Sequence, residues 1–508
     1  MVNPNNMNQL PYSQLPGMNS LLLDFVEHPE RVKDLYSTRS EIRSPELAHR
    51  KQLVAILRKQ NENFGNRSAS ALLEKLQKPE TYCAITGQQV GLLTGPMYTL
   101  WKALTAYGVA EEADRKGMPC VPIFWMASED HNWHEIMNFA LLKEDSELLQ
   151  FSLREHLFLS RQPTGSVPVN HGEVRGILLR ALAEIKIPQI KEIYSKGTLA
   201  SAFARSLLWL LPDFPILIVD PSDPELKRLA APFFEKFFER SETLLQLLTK
   251  QNENLKNRHY PVQVQMEENF LPLFSIEGNE RVHLKRNVNL SRPEVEKLSP
   301  SALLRPLFQD FLFPTLAYIG GPAEIAYFAQ LHPWYEAMEI QQPWVLPRAS
   351  VTLLPPATRN FLAARKLKPH ELYIKEDTLL DALLDNSALN MVRSKIKDLK
   401  ATVQQNLRET QNASETIEKT LGKTVQTSGR KIQYQMDKIE RKTFYAVKRS
   451  DRILFDQIRK AKNVVYPAEK LQERCLNIFS FASRLPDLLR EVYSKLEIGA
   501  GGHQYIDI

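Results

Sequence analysis

The stretch TGQQVGLLTGPMYTLWK, residues 86–102, decides how this chain is read. Glycine falls at every fourth position, Gly87, Gly91 and Gly95, and Pro96 follows directly. Glycine at this density costs backbone entropy, so the segment belongs to a turn that needs unusual conformations. Upstream, TYCAIT (81–86) is short, apolar and β-branched, the pattern of a buried strand. Downstream, Met97, Leu100, Trp101, Leu104 and Tyr107 recur at helical spacing. Pro96 suits the first position of that helix, with Thr94 or Gly95 at its cap, and Gly117 suits its end. A second apolar run, VPIFWMA (121–127), then completes a right-handed strand–helix–strand crossover of a parallel sheet.

The same grammar recurs outward from this unit. FPILIVDP (214–221) reads as a strand, and LAYIGGP (316–322) as a strand running into a glycine turn. Pro322 opens a helix through Tyr335, and WVLPRASV (344–351) reads as one further strand. The expected fold is a doubly wound α/β core over residues 1–380, with inserted segments at about 140–210 and 225–300. From Leu389 to Lys462 there is no proline and only two glycines, Gly422 and Gly429, while apolar residues recur at spacings of three and four. That pattern predicts long coiled-coil helices over 381–462, turned into an antiparallel hairpin at Thr427–Gly429. Packing of this arm on its own core and pairing with a second copy fit the pattern equally.

Composition narrows the functional classes. The chain has 508 residues, room for about three domains by the usual length relation, and a hydrophobic content of 43%. The first residues, MVNPNNMNQLPYSQLPG, lack the basic and apolar regions of a signal peptide. The longest apolar run, LLWLLPDFPILIVD, is interrupted by two prolines and is too short to span a bilayer, so no membrane partner is expected. Cys83, Cys120 and Cys475 are scattered, which argues against a disulfide framework or a structural zinc site and suits the cytoplasm. The net charge of +6 is uneven: residues 387–470 carry 19 Lys and Arg against 9 Asp and Glu. A solvated helical face accounts for this surplus, and the motifs of nucleic-acid readers are missing.

In an open parallel sheet, ligands bind beyond the carboxyl ends of the strands. Four turns fall there. The first, Gly87–Gly95, offers glycine backbone and a helix N-terminus to an anion, with Gln88 and Gln89 as neutral hydrogen-bonding groups. Its spacing is neither GxGxxG nor a Walker A loop, and GKT at 422–424 lies in a helical run without the first Walker glycine. The second, SEDHNWHEI (128–136), crowds Glu129, Asp130, His131, His134 and Glu135 within seven residues, suiting acid–base work. His131 and His134 with these acids also raise a metal-dependent hydrolase, although the order matches neither HExxH nor its inverse; a helix-capping cluster is the alternative, but so many ionisable groups at a strand end exceed capping needs. The third is YIGGPAEIAYF (318–328), with Gly320, Gly321 and Glu324 at a helix N-terminus. The fourth is Arg348, a residue type that holds carboxylate or phosphate bidentately.

Taken together with LLRPLFQDFLFPTLAYIGGPAEIAYFAQL, LPRASVTLL and VVYPAEKLQERCLNIFSF, these stretches resemble the BshC family, the cysteine ligases of bacillithiol biosynthesis. The matches run in family order across most of the chain and suggest that residues 463–508 return to the core; Asn132 stands where the family carries an acid. The resemblance implies a Rossmann-like core and a coiled-coil arm used for homodimerisation. It implies a ligase that joins cysteine to glucosaminyl-malate through an amide. A carboxylate needs activation before an amine attacks it, so ATP is expected as a co-substrate, with no tightly bound cofactor and no metal. The HIGH and KMSKS signatures of class I aminoacyl-tRNA synthetases are absent. On this reading Gln89, Glu129, Asp130 and His131 orient or deprotonate the amine. Gly87, Gln88, Thr94, Gly95, Tyr98, Lys102, Gly320, Gly321, Glu324 and Arg348 bind substrate or nucleotide. A metal-dependent hydrolase using Asp130, His131, His134 and Glu135 and a basic coiled-coil scaffold for nucleic acid are the competing readings.

Overall fold

The computed structural model describes residues 9–37, 45–136, 138–152, 161–265, 267, 269–286, 293–384 and 387–508. Two compact units emerge: residues 1–356 with 464–508, and residues 357–463.

The first unit is built on five parallel strands. They are β1 (Tyr82–Gln89), β2 (Cys120–Ala127), β3 (Leu217–Val219), β4 (Thr315–Gly320) and β5 (Trp344–Pro347), in spatial order β3-β2-β1-β4-β5. Helix α1 (Tyr98–Arg115) links β1 to β2, and helix α2 (Pro322–Met338) links β4 to β5. Residues in β1 and β2 pair from Tyr82 with Cys120 through Gln89 with Ala127. Alternation along the strands separates two cores. Phe124 and Met126 pack with Leu100, Trp101 and Leu104 of α1, whereas Ile85, Ile123 and Trp125 pack with Ile325, Phe328 and Leu331 of α2. Both faces are therefore covered, which explains why these strands read as continuous apolar runs. The chain leaves β1 toward β2 and leaves the neighbouring β4 toward β5. The carboxyl ends of β1 and β4 thus diverge into a crevice, the topological switch point of a Rossmann-like sheet.

Several local expectations are corrected. WVLPRASV is two strands: β5 stops at Pro347, and Ser350–Leu354 joins a separate sheet with Gly502–Asp507 and Gln9–Pro11. Between them Arg348 turns inward, its backbone N–H donating to Gly320 O at 2.9 Å. The helix after the glycine turn begins at Tyr98, two residues beyond Pro96. The inserted segments contribute two small antiparallel assemblies. Phe139–Leu142 pairs with Leu148–Phe151, and Phe270–Glu277 pairs with both Glu280–Lys285 and Leu298–Pro300.

The second unit contains two long helices, Ser387–Ile417 and Leu421–Ser450. They run antiparallel, because Lys400 pairs with Asp437 and Glu440 while Arg393 reaches Glu440. Leu389, Ile396, Met436 and Phe444 are buried. The turn lies at Glu418–Thr420, not at Thr427–Gly429, which sits inside the second helix. Gly429 has a packing role instead: a Cβ there would stand 2.8 Å from Leu407 Cδ1. No described helix is long and apolar enough to cross a membrane.

Candidate active site

The crevice at the switch point opens into a cavity of about 610 Å³. Residues of all four turns picked out in the sequence line it. β1 brings Gly87, Gln88 and Gln89; β2 brings Glu129, Asp130 and His131; β4 and α2 bring Gly321 and Glu324. Parallel pairing enforces this meeting, since register aligns Gln89 with Ala127 and Ile319 with Thr86.

At the floor, Lys102 is almost fully buried on α1, its Nζ ion-paired to Glu324 Oε2. The same ammonium donates to Gly87 O at 2.7 Å and Gln88 Oε1 at 2.9 Å. Burial lowers the Lys102 pKa, and Glu324 opposes that shift. Burial alone would raise Glu324, but Lys102 and Arg305 outweigh it and hold the carboxyl below its ordinary range. Glu324 also accepts from Gly321 N at 2.8 Å and from the Tyr318 hydroxyl, so it caps α2 while meeting the cation. Tyr98, one helical turn before Lys102, receives the Gln88 amide at 3.3 Å.

The opposite wall is the acidic–histidine turn. Glu129 is buried against Lys227, itself buried on Pro224–Leu229. Asp130 accepts the Gln89 amide at 2.5 Å and caps its own turn through the backbone N–H groups of His131 and Asn132. Arg281 reaches across from the inserted hairpin, 3.5 Å from Asp130 Oδ1 and 3.4 Å from His131 Nδ1. Burial, then Arg281, lowers the His131 pKa and so favours the neutral ring. Among the described residues no group of three or more His, Cys, Asp or Glu is arranged to hold a metal. The side chains of His134 and Glu135 lie outside the described set.

Other expected residues have different surroundings. Thr94 and Gly95 do not line the cavity; they belong to a buried turn in which Leu93, Thr94 and Gly95 take φ of 53°, 71° and 72°. A Cβ on Gly91 would lie 2.9 Å from Gly95 Cα, so these glycines let the turn fold onto itself. Its carbonyls at Leu93 and Gly95 accept the Asn477 amide at 2.8 and 2.7 Å. The C-terminal segment thus satisfies carbonyls of this turn, so the turn serves packing in the core. Gly320 borders the crevice from behind, and a Cβ there would meet Glu324 Cβ at 3.2 Å. Arg348 lines the cavity over the Tyr98 ring, but its guanidinium is clamped by Glu473 at 3.0 and 2.7 Å.

Residues the sequence did not single out complete the site. Arg305 donates through Nη2 to the hydroxyls of Tyr318 (3.2 Å) and Tyr327 (2.5 Å). Its Nη1 is buried without an acceptor among the described residues. Arg474 also lines the cavity and forms no ion pair among the described residues. Arg281, Phe274 and His283 come from the insertion. The RPLF and QERC stretches that hold Arg305 and Arg474 carry no chemical motif of their own, although both lie within the runs that carry the family resemblance.

Fold and site together define a Rossmann-like α/β protein with a densely charged cavity at the switch point of its sheet, joined in one chain to a helical hairpin unit. The chain belongs to the BshC family. Residues 6–349 match the N-terminal Rossmann-like domain of bacillithiol biosynthesis BshC, and residues 351–508 match its C-terminal coiled-coil domain. A relative from Solibacter usitatus (strain Ellin6076), named "Putative cysteine ligase BshC", is 30% identical, covering 97% of this chain and 98% of its own. A relative of the same name from Koribacter versatilis (strain Ellin345) is 28% identical over 94% of each chain. Among solved structures, one titled as an arginyl-tRNA synthetase from Campylobacter jejuni aligns with 81% of this chain and 96% of its own at 10% identity. Its TM-score is 0.23, too low to establish a shared fold.

Proposed function

We propose that this chain is the ligase that joins L-cysteine to glucosaminyl-malate in bacillithiol biosynthesis, forming an amide between the cysteine carboxylate and the sugar amine. The observation that carries the reading is the switch-point cavity, where three strand-end motifs of a BshC-family chain face one space of about 610 Å³. That volume suits small-molecule substrates. ATP, as co-substrate, would supply the activation that a carboxylate needs, and the unpaired N–H of Arg305 suits an anionic group, whether phosphate or carboxylate. Lys102, neutralised by Glu324 and fastened to Gly87 and Gln88, keeps the β1 turn in a fixed form for the substrate. Gln89, Glu129 and Asp130 border the incoming amine and orient it, and His131 lines the same cavity beside them. Reaction between two held partners gains chiefly from position, because orientation replaces the entropy of encounter.

The proposed setting is the cytoplasm. The helical hairpin is the proposed homodimer contact, since Leu399, Ile432 and Ile439 remain exposed on it. The test is direct: purified protein is incubated with cysteine, glucosaminyl-malate and ATP, and the product is followed by mass spectrometry. Thiol profiling of a deletion strain accompanies it. Product of the amide mass and accumulation of glucosaminyl-malate in the deletion strain are expected; absence of both would refute the assignment.

A further inference from the structure

His131 stands in a partition between two cavities. The first is the switch-point cavity; the second, about 590 Å³, is lined by Arg161, Val282 and Lys285 and shares His131, Arg281 and His283 with the first. Arg281 forms the fixed part of this partition. Its Nε donates to Ser299 Oγ at 3.0 Å and its Nη2 to Pro300 O at 2.6 Å, and the guanidinium lies 4.0 Å from the Phe274 ring centre. The remaining nitrogen, Nη1, faces His131 Nδ1 at 3.4 Å.

A guanidinium has donors and no acceptor, and it stays charged in proteins. The facing Nδ1 must therefore present its lone pair, and the proton of the neutral ring resides on Nε2. An imidazolium would set N–H against N–H and charge against like charge. The other groups acting on the ring are Asp130, which favours the cation, and Arg161 and His283, which oppose it together with Arg281 and burial. Nε2 has no partner among the described residues, and the ring borders the switch-point cavity as well as the second one.

We propose that His131 serves as a neutral hydrogen-bond donor, through Nε2–H, to the acyl oxygen of the bound substrate, and not as the base that takes the amine proton. The proposal rests on the ligase reading. As the amine lone pair adds to the carbon of the ATP-activated acyl group, the C=O π pair moves onto oxygen; when that pair returns, the activating phosphate or nucleotide leaves with its bonding pair and the amine proton passes to water. A donor already aimed at that oxygen is worth more in the transition state than in the ground state. Loss of one such donor lowers the rate by about 100- to 1,000-fold.

Removal of a base costs a similar factor, so the alanine variant alone does not discriminate. His131→Gln does: its amide N–H replaces the Nε2–H donor, but it cannot accept a proton at neutral pH. Expected are a 100- to 1,000-fold loss for His131→Ala and recovery by His131→Gln to within about tenfold of wild type. Nitrogen-15 NMR of the unliganded protein should find the Nε2–H tautomer at neutral pH, a readout independent of activity. An Nδ1–H tautomer, or a glutamine variant as inactive as alanine while melting like wild type, would overturn the proposal. Failure of wild type to form the amide would refute the ligase reading instead, and the tautomer would still decide the state of His131.

Discussion

Replacing Glu473 with glutamine should destabilise the first unit out of proportion to the change of one atom. Glu473 is 1% exposed, and each of its oxygens accepts two donors. Oε1 receives Arg348 Nη2 (2.7 Å) and Ser350 Oγ (2.9 Å); Oε2 receives Arg348 Nη1 (3.0 Å) and Val351 N (2.8 Å). Whichever way the glutamine amide is turned, its NH₂ opposes an N–H of Arg348. The charge of Arg348, 6% exposed, is then left without a counterion. Breaking a buried pair in this way costs about 3–5 kcal/mol. A unit of about 400 residues has an unfolding entropy of about 0.8 kcal/mol/K, so the melting temperature should fall by about 4–6 °C. The measurement is calorimetry of Glu473→Gln beside the double variant Arg348→Met/Glu473→Leu, which removes both charges and should recover much of the loss. A pH series adds a sign. Arg348 holds the Glu473 pKa below its ordinary value despite burial, so the pair's contribution is present above the unfolded carboxylate range and fades as pH falls through the folded pKa. A Glu473→Gln protein melting within 1 °C of wild type would refute the clamp and return Arg348 to the list of groups free to hold substrate.

Further expectations follow from neighbouring features. His503 is fully buried, bonded to Ser350 Oγ at 2.7 Å and Thr352 Oγ1 at 2.8 Å, and burial lowers its pKa to about 4. Its folded pKa lies below the unfolded value, so about 3 kcal/mol of stability should disappear between about pH 6.5 and 4. Urea titrations of wild type and His503→Gln across that range check this, since the variant should lose the slope. Gly95→Ala should cost about 1–3 kcal/mol, because φ 72° with ψ −156° is a region almost closed to residues with a Cβ; thermal melting measures it. Asn477→Ala should cost a similar amount by leaving the Leu93 and Gly95 carbonyls buried without their donor. The paired change Ile432→Glu/Ile439→Glu should yield monomers in light scattering without altering the melting of the first unit; a retained dimer would remove the hairpin as the dimer contact.

The legible parts of this chain were those in which neighbouring residues carry the signal. The β1–α1–β2 unit appears in the order expected because period and punctuation are local: an apolar run, glycines, a proline, then helical spacing. Once parallel pairing was assumed, the meeting of Gln88–Gln89 with Glu129–His131 followed from strand ends alone. Where a residue's surroundings differ from those expected, one cause recurs, which is that a residue type has several uses. Gly429 suggested a turn, yet it serves close contact with Leu407 on the other helix. Gly91 and Gly95 suggested an anion loop, yet they allow a turn to pack on itself beneath Asn477. Arg348 suggested a ligand grip, yet it is answered by Glu473, 125 residues away.

The sequence by itself determined the family, the doubly wound class, the helical arm and the strand-end turns where chemistry collects. Periodicity and short motifs are properties of the chain before it folds. Only the tertiary structure decided which charges are free. Lys102 is bound to Glu324, Glu129 to Lys227 and Arg348 to Glu473, while Arg305 keeps an N–H without an acceptor among the described residues and His131 has its Nδ1 turned to Arg281. Whether a buried ion is available for substrate depends on the counterion that folding brings to it. That pairing is set by three-dimensional packing across long stretches of chain, where desolvation makes an unpaired charge costly.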